Sequence, residues 1–209
     1  INAIFTNDAD INTNIIRDVR IPRALAAALV GGFLAVAGAI MQGITRNPIA
    51  EPSVMGITQG ATFMIAVAFV LQGIYPNLVI NSFALMIFAF LGASISGLLV
   101  YFISSRASRK VDPVKLALAG TALGTLLISL AMGISMYFNL SQQLSFWVSG
   151  GLVSAKWEGV ILLSLIGGIA FIGAMIMSPR ITILSLGEEV AIGLGEKTNL
   201  VRFISIMIV

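Results

Sequence analysis

The stretch LVINSFALMIFAFLGASISGLLVYFISS occupies residues 78–105 and contains no charged side chain. An α-helix needs about 20 mostly apolar residues to cross the hydrocarbon core of a bilayer, and this stretch exceeds that length. Four further charge-free stretches also reach it, at residues 24–45, 55–75, 116–140 and 159–178. The pattern predicts an all-α protein, a polytopic bundle of transmembrane helices.

The composition supports the same fold class. Hydrophobic residues make up 58% of the 209 positions and charged residues 10%, which is more apolar surface than one soluble core of this size can bury. The absence of cysteine and histidine excludes disulfides, thiolate or imidazole metal sites and histidine proton shuttles. The Lys and Arg residues are spread between the apolar stretches, unlike the basic stripe of a nucleic-acid-binding protein. We therefore expect no cofactor, no catalysis by the chain's own side chains and no nucleic-acid partner.

The two ends of the sequence predict a fragment. A sixth apolar run begins at Phe203 and stops at Val209, far short of a membrane crossing. The sequence opens on Ile1 without an initiator Met or an apolar signal-like run. We expect residues 1–209 to form a single transmembrane domain that is truncated at both ends, with a partial span from residue 203.

The distribution of Lys and Arg predicts the orientation, because basic residues are held preferentially in cytoplasmic loops. Arg17, Arg20, Arg23 and Lys156 lie on one side of the predicted spans, and the other eight of the twelve basic residues lie on the opposite side. The side with eight is predicted to be cytoplasmic. The N-terminal stretch is then expected on the outside.

None of the five predicted spans contains an Asp, Glu, Lys, Arg or His residue. Such residues normally mark proton relays and ion-coupled carriers, so their absence favours an energy source in another subunit. Sodium sites can, however, be built from carbonyl and hydroxyl oxygens of unwound helices. An ion-coupled secondary carrier and a purely structural membrane subunit therefore stay open as alternatives.

Residues 178–197 follow the fifth span on the predicted cytoplasmic side. Ser185 and Glu188 have the spacing of a capping box, and Gly193 or Gly195 can terminate a helix. The pattern predicts a short helix of about two turns along the membrane surface. Such a helix is either a simple connector or a docking element for a soluble partner.

Four segments carry a resemblance to a known family. They read RIPR at residues 20–23 with GAIMQ at 38–42 and NPIAEPSVMG at 47–56, LALAGTALG at 116–124, FWVSGG at 146–151 with Trp157, and LSLGE at 184–188 with Ala191 and Leu194-Gly195. In order, spacing and sidedness they resemble the permease subunits of ATP-binding-cassette importers for ferric siderophores, haem and cobalamin. Ile49 and Ser53 stand where the family would have Leu and Gly.

The resemblance implies a permease of about ten membrane-crossing helices in the bacterial cell membrane, of which this chain is a part. It also implies a second permease subunit, an extracytoplasmic substrate-binding protein and cytosolic ATP-binding subunits as partners. The expected cargo is a ferric siderophore, chosen over haem or cobalamin on resemblance alone. The chain itself would be non-catalytic, and no segment matches the phosphate-binding loop G-x-x-x-x-G-K-[ST].

The resemblance assigns roles near the ends of the first and fourth spans. Arg20 and Arg23 would dock the binding protein, since a guanidinium fork suits a carboxylate; the alternative is that they mark the membrane boundary. Asp112, Pro113 and Val114, just before the fourth span, would form a cytoplasmic gate. Their alternative is a helix start with Pro at the first position.

Two further sets are assigned in the same way. A pathway-lining face is expected at Thr125, Ser129, Met132, Ser135 and Met136, and its alternative is helix packing. An ATPase coupling helix is expected at Ser185, Gly187, Glu188, Glu189, Ala191 and Leu194. Within that helix, Val190, Ala191 and Leu194 lie at helical spacing and are expected to form the face buried in the ATPase. The turn at 47–56, with Pro48 and Pro52, is expected to be a stiff elbow.

Overall fold

The computed structural model describes residues 14–75, 77–105, 113–152 and 155–209. Within those ranges every regular element is helical. The helices are α1 (Ile21–Thr45), α2 (Ile57–Ile74), α3 (Ser82–Ser105), α4 (Pro113–Tyr137), α5 (Ser141–Ser149), α6 (Trp157–Ser185), α7 (Glu188–Gly193) and α8 (Thr198–Ile208). A π-helical turn, Ile16–Arg20, leads into α1, and a 3-10 turn, Pro52–Met55, precedes α2.

Five of these helices are long and apolar enough to cross a membrane: α1 with its π-helical turn, α2, α3, α4 and α6. Each overlaps one of the five predicted spans, so the predicted all-α transmembrane bundle is confirmed. A helix satisfies its backbone hydrogen bonds internally, as a chain in lipid must. The short helix α5, which lies between α4 and α6, contains Phe146 and Trp147 of the FWVSGG segment.

The ends of two helices differ from the prediction. α6 does not stop at Ser178 but continues through Pro179 to Ser185. Pro179 lacks the N–H that would bond to the carbonyl of Met175, and beyond it Ile181 and Leu184 are buried against the rest of the bundle. α8 starts at Thr198, five positions before the predicted partial span.

Close packing between helices depends on glycine where the backbones meet. A Cβ on Gly60 of α2 would overlap the carbonyl oxygen of Gly92 in α3, and a Cβ on Gly92 would overlap that of Gly60. Contacts of this kind are the way small residues bring membrane helices together. Gly133 of α4 and the pair Gly31 and Gly32 of α1, by contrast, have nothing within 4 Å of an added Cβ.

The largest buried cluster lies toward the predicted cytoplasmic end of the bundle. It joins residues from α1, α3, α4, α6, α7 and α8, among them Met41, Val100, Leu116, Leu184, Ala191 and Val201. A smaller cluster at the other end contains Ile65, Ala66, Ala131 and Leu144. α7 is therefore packed into the main core of the chain and does not lie apart from it.

Candidate transport pathway and coupling helix

Two hydrogen bonds tie the start of α1 to the segment around the start of α6. Nε1 of Trp157 donates to the carbonyl oxygen of Arg17, 3.1 Å away, and Nε of Arg23 donates to that of Leu152, also 3.1 Å away. These segments therefore share one end of the bundle. The predicted topology places both there, on the outside.

The two arginines expected to dock a binding protein differ in their surroundings. Arg20 is exposed, with no ion pair among the described residues. Arg23 is half-buried, and its guanidinium is engaged with Leu152 as described above. Arg20 therefore presents its charge outward, whereas Arg23 also holds two parts of the same chain together.

The elbow between α1 and α2, predicted to be stiff, is closely packed against its neighbours. α1 ends because Arg46 adopts a left-handed conformation, with φ of 53°. Gly56, with φ of 68°, closes the 3-10 turn, and its carbonyl accepts a hydrogen bond of 2.8 Å from the hydroxyl of Ser96. A Cβ on Gly120 of α4 would overlap the carbonyl oxygen of Val54. The elbow is thus locked between α3 and α4.

The predicted gate residues lie at the start of α4. Pro113 is the first described residue of this helix, and Val114 is 65% exposed. Asp112 lies outside the described residues. An exposed valine at this end of the bundle is compatible with a constriction, since its side chain projects away from the core of its own chain.

The predicted pathway face on α4 is exposed at four of its five positions. Thr125, Ser129, Met132 and Met136 are all exposed, and Met136 reaches 71%. Ser135 is 1% exposed, so its assignment to this face is wrong. At about 100° per residue, Ser135 lies within roughly 20° of Gly124, on the packed side of the helix. The remaining four residues are called the α4 stripe below.

The polar groups of the α4 stripe are partly satisfied within the helix. The hydroxyl of Thr125 donates to the carbonyl of Thr121, and the hydroxyl of Ser129 to that of Thr125, each at 2.8 Å. Their oxygen lone pairs therefore face outward, without any formal charge. The exposed positions of α3 beyond Ser82 are apolar throughout. α4 thus presents a weakly polar face where α3 presents one suited to lipid.

α7 confirms the predicted short helix, but its start differs from the prediction. Ser185 is the last residue of α6, and its hydroxyl donates to the carbonyl of Thr182, 2.7 Å away. The residue before α7 is Gly187, with φ of 139°, and no side chain caps the helix. The predicted capping box is therefore wrong, because α6 continues through Pro179 and takes Ser185 with it.

The face that α7 presents also differs from the prediction. Ala191 is 0% exposed and belongs to the main core, so it does not lie on an outer docking face. The exposed apolar residues of this segment are Leu186 at 68%, Val190 at 47%, Ile192 at 47% and Leu194 at 64%. Val190 and Leu194 lie four residues apart and share a side, whereas Ile192, two residues from each, lies on another side. We call Leu186, Val190 and Leu194 the α7 outer face.

Glu188 and Glu189 lie in the first turn of α7, as predicted. Glu188 forms an ion pair with Arg202, whose Nη2 is 3.2 Å from its Oε2. Arg202 is one of the eight basic residues on the predicted cytoplasmic side, but it lies within α8 and is 0% exposed. The sequence signal for this pair is weak, because an arginine beside an apolar run resembles an ordinary helix-flanking charge.

An apolar cavity of about 1560 Å³ lies among α1, α3, α6 and α8. Phe33, Phe90, Leu165 and Ile208 are among its lining residues, and no described residue of α4 is. The cavity and the α4 stripe are therefore separate surfaces. The stripe, with its hydroxyl groups, suits a polar cargo better than the cavity does.

The FecCD transport family provides the decisive comparison, because the model of this family matches residues 1–209. The chain belongs to this family. Two of its relatives are the iron(3+)-hydroxamate import system permease protein FhuB of Bacillus subtilis, 43% identical over 195 residues, and the vitamin B12 import system permease protein BtuC of Klebsiella pneumoniae, 37% identical over 183 residues. These alignments cover 93% and 85% of this chain and 50% and 52% of the relatives. The chain thus spans about half the length of these relatives.

A solved structure supports the same assignment. It is described as an inward-facing conformation of a metal-chelate type ABC transporter, and it matches with a TM-score of 0.77 and 26% sequence identity. The match covers 97% of this chain and 65% of that one. As a member of the FecCD family with five helices able to span a membrane, the chain is a multi-pass membrane protein.

Proposed function

We propose that this FecCD-family chain is part of the membrane-spanning permease subunit of an ATP-driven importer, which moves a ferric siderophore or a related metal chelate across the bacterial cell membrane. The observation that carries the proposal is the α7 outer face. Leu186, Val190 and Leu194 are exposed at the end of the bundle predicted to be cytoplasmic. An exposed apolar helix face of this kind fits a groove on a soluble partner.

The energy source is a separate cytosolic ATPase. The described residues of α2 and α3 include no Asp, Glu, Lys, Arg or His, and such residues normally mark ion-coupled transport. α7 is the coupling helix, and its docking residues are those of the outer face. Ala191 supports the helix from the core side, and Glu188 and Glu189 lie at its start.

The pathway follows the α4 stripe, opposite a second permease subunit. A large chelate that must leave as well as enter needs a surface that binds it weakly, and the stripe offers hydroxyl and thioether groups without charge. Val114, with Asp112 and Pro113, narrows the pathway at its cytoplasmic end. At the outer end, Arg20 docks a substrate-binding protein through an acidic partner residue, with Arg23 beside it.

A ferric siderophore is the cargo favoured by the relatives. The iron(3+)-hydroxamate permease is 43% identical to the chain, and the iron-uptake system permease protein FeuB of Bacillus subtilis is 38% identical over 193 residues. Both names refer to iron uptake. The vitamin B12 permease is a more distant relative at 37% over a shorter alignment.

The proposal is tested with the full-length permease, its ATPase and its binding protein in proteoliposomes. Uptake of a radiolabelled ferric hydroxamate should require hydrolysable ATP on the ATPase side and should persist when ionophores collapse the ion gradients. A non-hydrolysable ATP analogue serves as the control. Uptake driven by an ion gradient without the ATPase would instead identify a secondary carrier.

A further inference from the structure

A buried ion pair joins α7 to the helix that follows it. Nη2 of Arg202 donates a hydrogen bond of 3.2 Å to Oε2 of Glu188. The side chain of Arg202 is 1% exposed and that of Glu188 is 20% exposed. Oε1 of Glu188 is buried and accepts no hydrogen bond from any residue that the structure describes. Among the described residues, Arg202 is therefore the residue with which the Glu188 carboxylate forms its ion pair.

Stability alone does not account for a charged pair at this position. Removing two charges from water is costly, and apolar residues of similar volume often stabilise a protein as well or better. Val201 and Ile206, on the same helix as Arg202, are 2% and 3% exposed and belong to the main buried cluster. A guanidinium–carboxylate contact supplies instead a directional link that holds two groups in a defined relation.

α7 needs such a link because its own structure and contacts stabilise its position only weakly. A helix of six residues is too short to be stable in isolation. Ala191 anchors one side in the core, and the outer face is exposed. Glu188, at the first position of the helix, forms an ion pair with Arg202 of α8. Among the described residues, this ion pair is the one that joins α7 to another helix.

α8 is in turn fastened to α3. The hydroxyl of Tyr101 donates to the carbonyl oxygen of Asn199 at 3.4 Å, and the ring of Tyr101 meets that of Phe203 edge to face at 5.1 Å. Farther along α8, Ile206 and Ile208 line the cavity among α1, α3 and α6. A displacement of Arg202 therefore acts on a helix that reaches into the middle of the bundle.

We propose that the Glu188–Arg202 pair is the joint through which movement of α7 is passed to α8, so that both are positioning residues for transport. The inference rests on the proposed function, because it takes α7 to be the element on which the ATPase acts. It adds the link by which that movement enters the transmembrane helices. Breaking the joint should separate ATP hydrolysis from transport without removing the ATPase.

The test uses the full-length permease, its ATPase and its binding protein in proteoliposomes, with a ferric hydroxamate as the probe. The double variant Glu188→Gln/Arg202→Met removes both charges and keeps similar volumes. Its ATPase should co-purify and hydrolyse ATP, but uptake per ATP hydrolysed should fall roughly tenfold, as expected for loss of a typical coupling free energy. Arg202→Lys keeps the charge but not the guanidinium geometry, so its uptake per ATP should lie between those of the parent and the double variant. Arg180→Met is the control, because it removes a looser pair, 3.9 Å from Glu196, in which the arginine side chain is 53% exposed, and it should change nothing.

Unchanged uptake per ATP hydrolysed in the double variant would refute the proposal that the pair transmits the movement of α7. If the variants do not assemble, the pair is tested without altering it, by spin labels on cysteines introduced at Ile192 and Leu200. Both positions are 47% exposed, and residues 1–209 contain no native cysteine. Their separation should be the same in the nucleotide-free and ATP-bound complexes, and a change would overturn the proposal. Failure of the proposed function is distinguishable, because the ATPase would then not co-purify even with the parent permease.

Discussion

Replacing Gly120 by Ala tests whether the elbow is locked against α4. A Cβ at this position would overlap the carbonyl oxygen of Val54 and lie 2.8 Å from the Cα of Met55. Both contacts are with backbone, which cannot rotate away. The elbow is also held by the hydrogen bond from Ser96 to Gly56. Either α4 or the elbow must therefore shift to admit one methyl group.

The magnitude follows from two opposing terms. Overpacking a well-packed contact costs about 1–3 kcal/mol, whereas replacing glycine by alanine within a helix gains about 0.8–1.0 kcal/mol. Gly133→Ala in the same helix is the matched control, because nothing lies within 4 Å of its added Cβ. The propensity gain cancels between the two variants, so Gly120→Ala should be about 1–3 kcal/mol less stable than Gly133→Ala.

The assay is reversible unfolding of the full-length permease in mixed micelles as the fraction of denaturing detergent is raised. The free energy of unfolding is compared among the parent and the two variants. Equal free energies for Gly120→Ala and Gly133→Ala would refute the reasoning, because they would mean that the elbow gives way without cost. If Gly133→Ala lost as much free energy of unfolding as Gly120→Ala, the loss could not be attributed to the contact with the elbow.

Three further predictions concern the proposed sites. Leu194→Arg places a charge on the α7 outer face and should abolish co-purification of the ATPase without lowering thermal stability; normal co-purification would contradict docking through this face. Arg20→Glu should weaken binding-protein affinity, measured by titration, by at least the roughly 0.2–1 kcal/mol of an exposed ion pair, and unchanged affinity would remove Arg20 from the docking surface. A cysteine at Ser149 should react with a membrane-impermeant maleimide in intact cells, and one at Lys197 only after permeabilisation. The opposite labelling pattern would invert the topology.

Sequence reasoning identified the helices because a bilayer permits few alternatives. A charge-free stretch of sufficient length in lipid must be helical, so composition and run length decide the element. Helix ends in water have no such constraint. Pro179 marks a helix end by ordinary rules, yet α6 continues through it to Ser185, and Ile181 and Leu184 beyond it pack into the main buried cluster. The error at Ser185 follows directly from that one.

Part of the candidate site could be predicted from the sequence for a similar reason. Thr125, Ser129 and Met136 lie on one exposed side of α4, because helical spacing alone puts them there. Spacing does not say which side of α7 is covered, and Ala191 faces the core although Val190 and Leu194 do not. The partnership of Glu188 and Arg202 depends on how α7 folds back against α8, and no local pattern contains that information.

The packing links the α7 outer face to the α4 stripe through buried contacts. Ala191 shares the main core with Met55, which lies in the elbow. The elbow meets α4 at Gly120, on the packed side of the helix that carries the stripe. Protein interiors are close-packed, so these contacts form one contiguous route from α7 to the helix that carries the stripe. Energetic coupling is shown by perturbation and not by contiguity, so varying the joint at Glu188 and the contact at Gly120 separately measures how much of the movement each one carries.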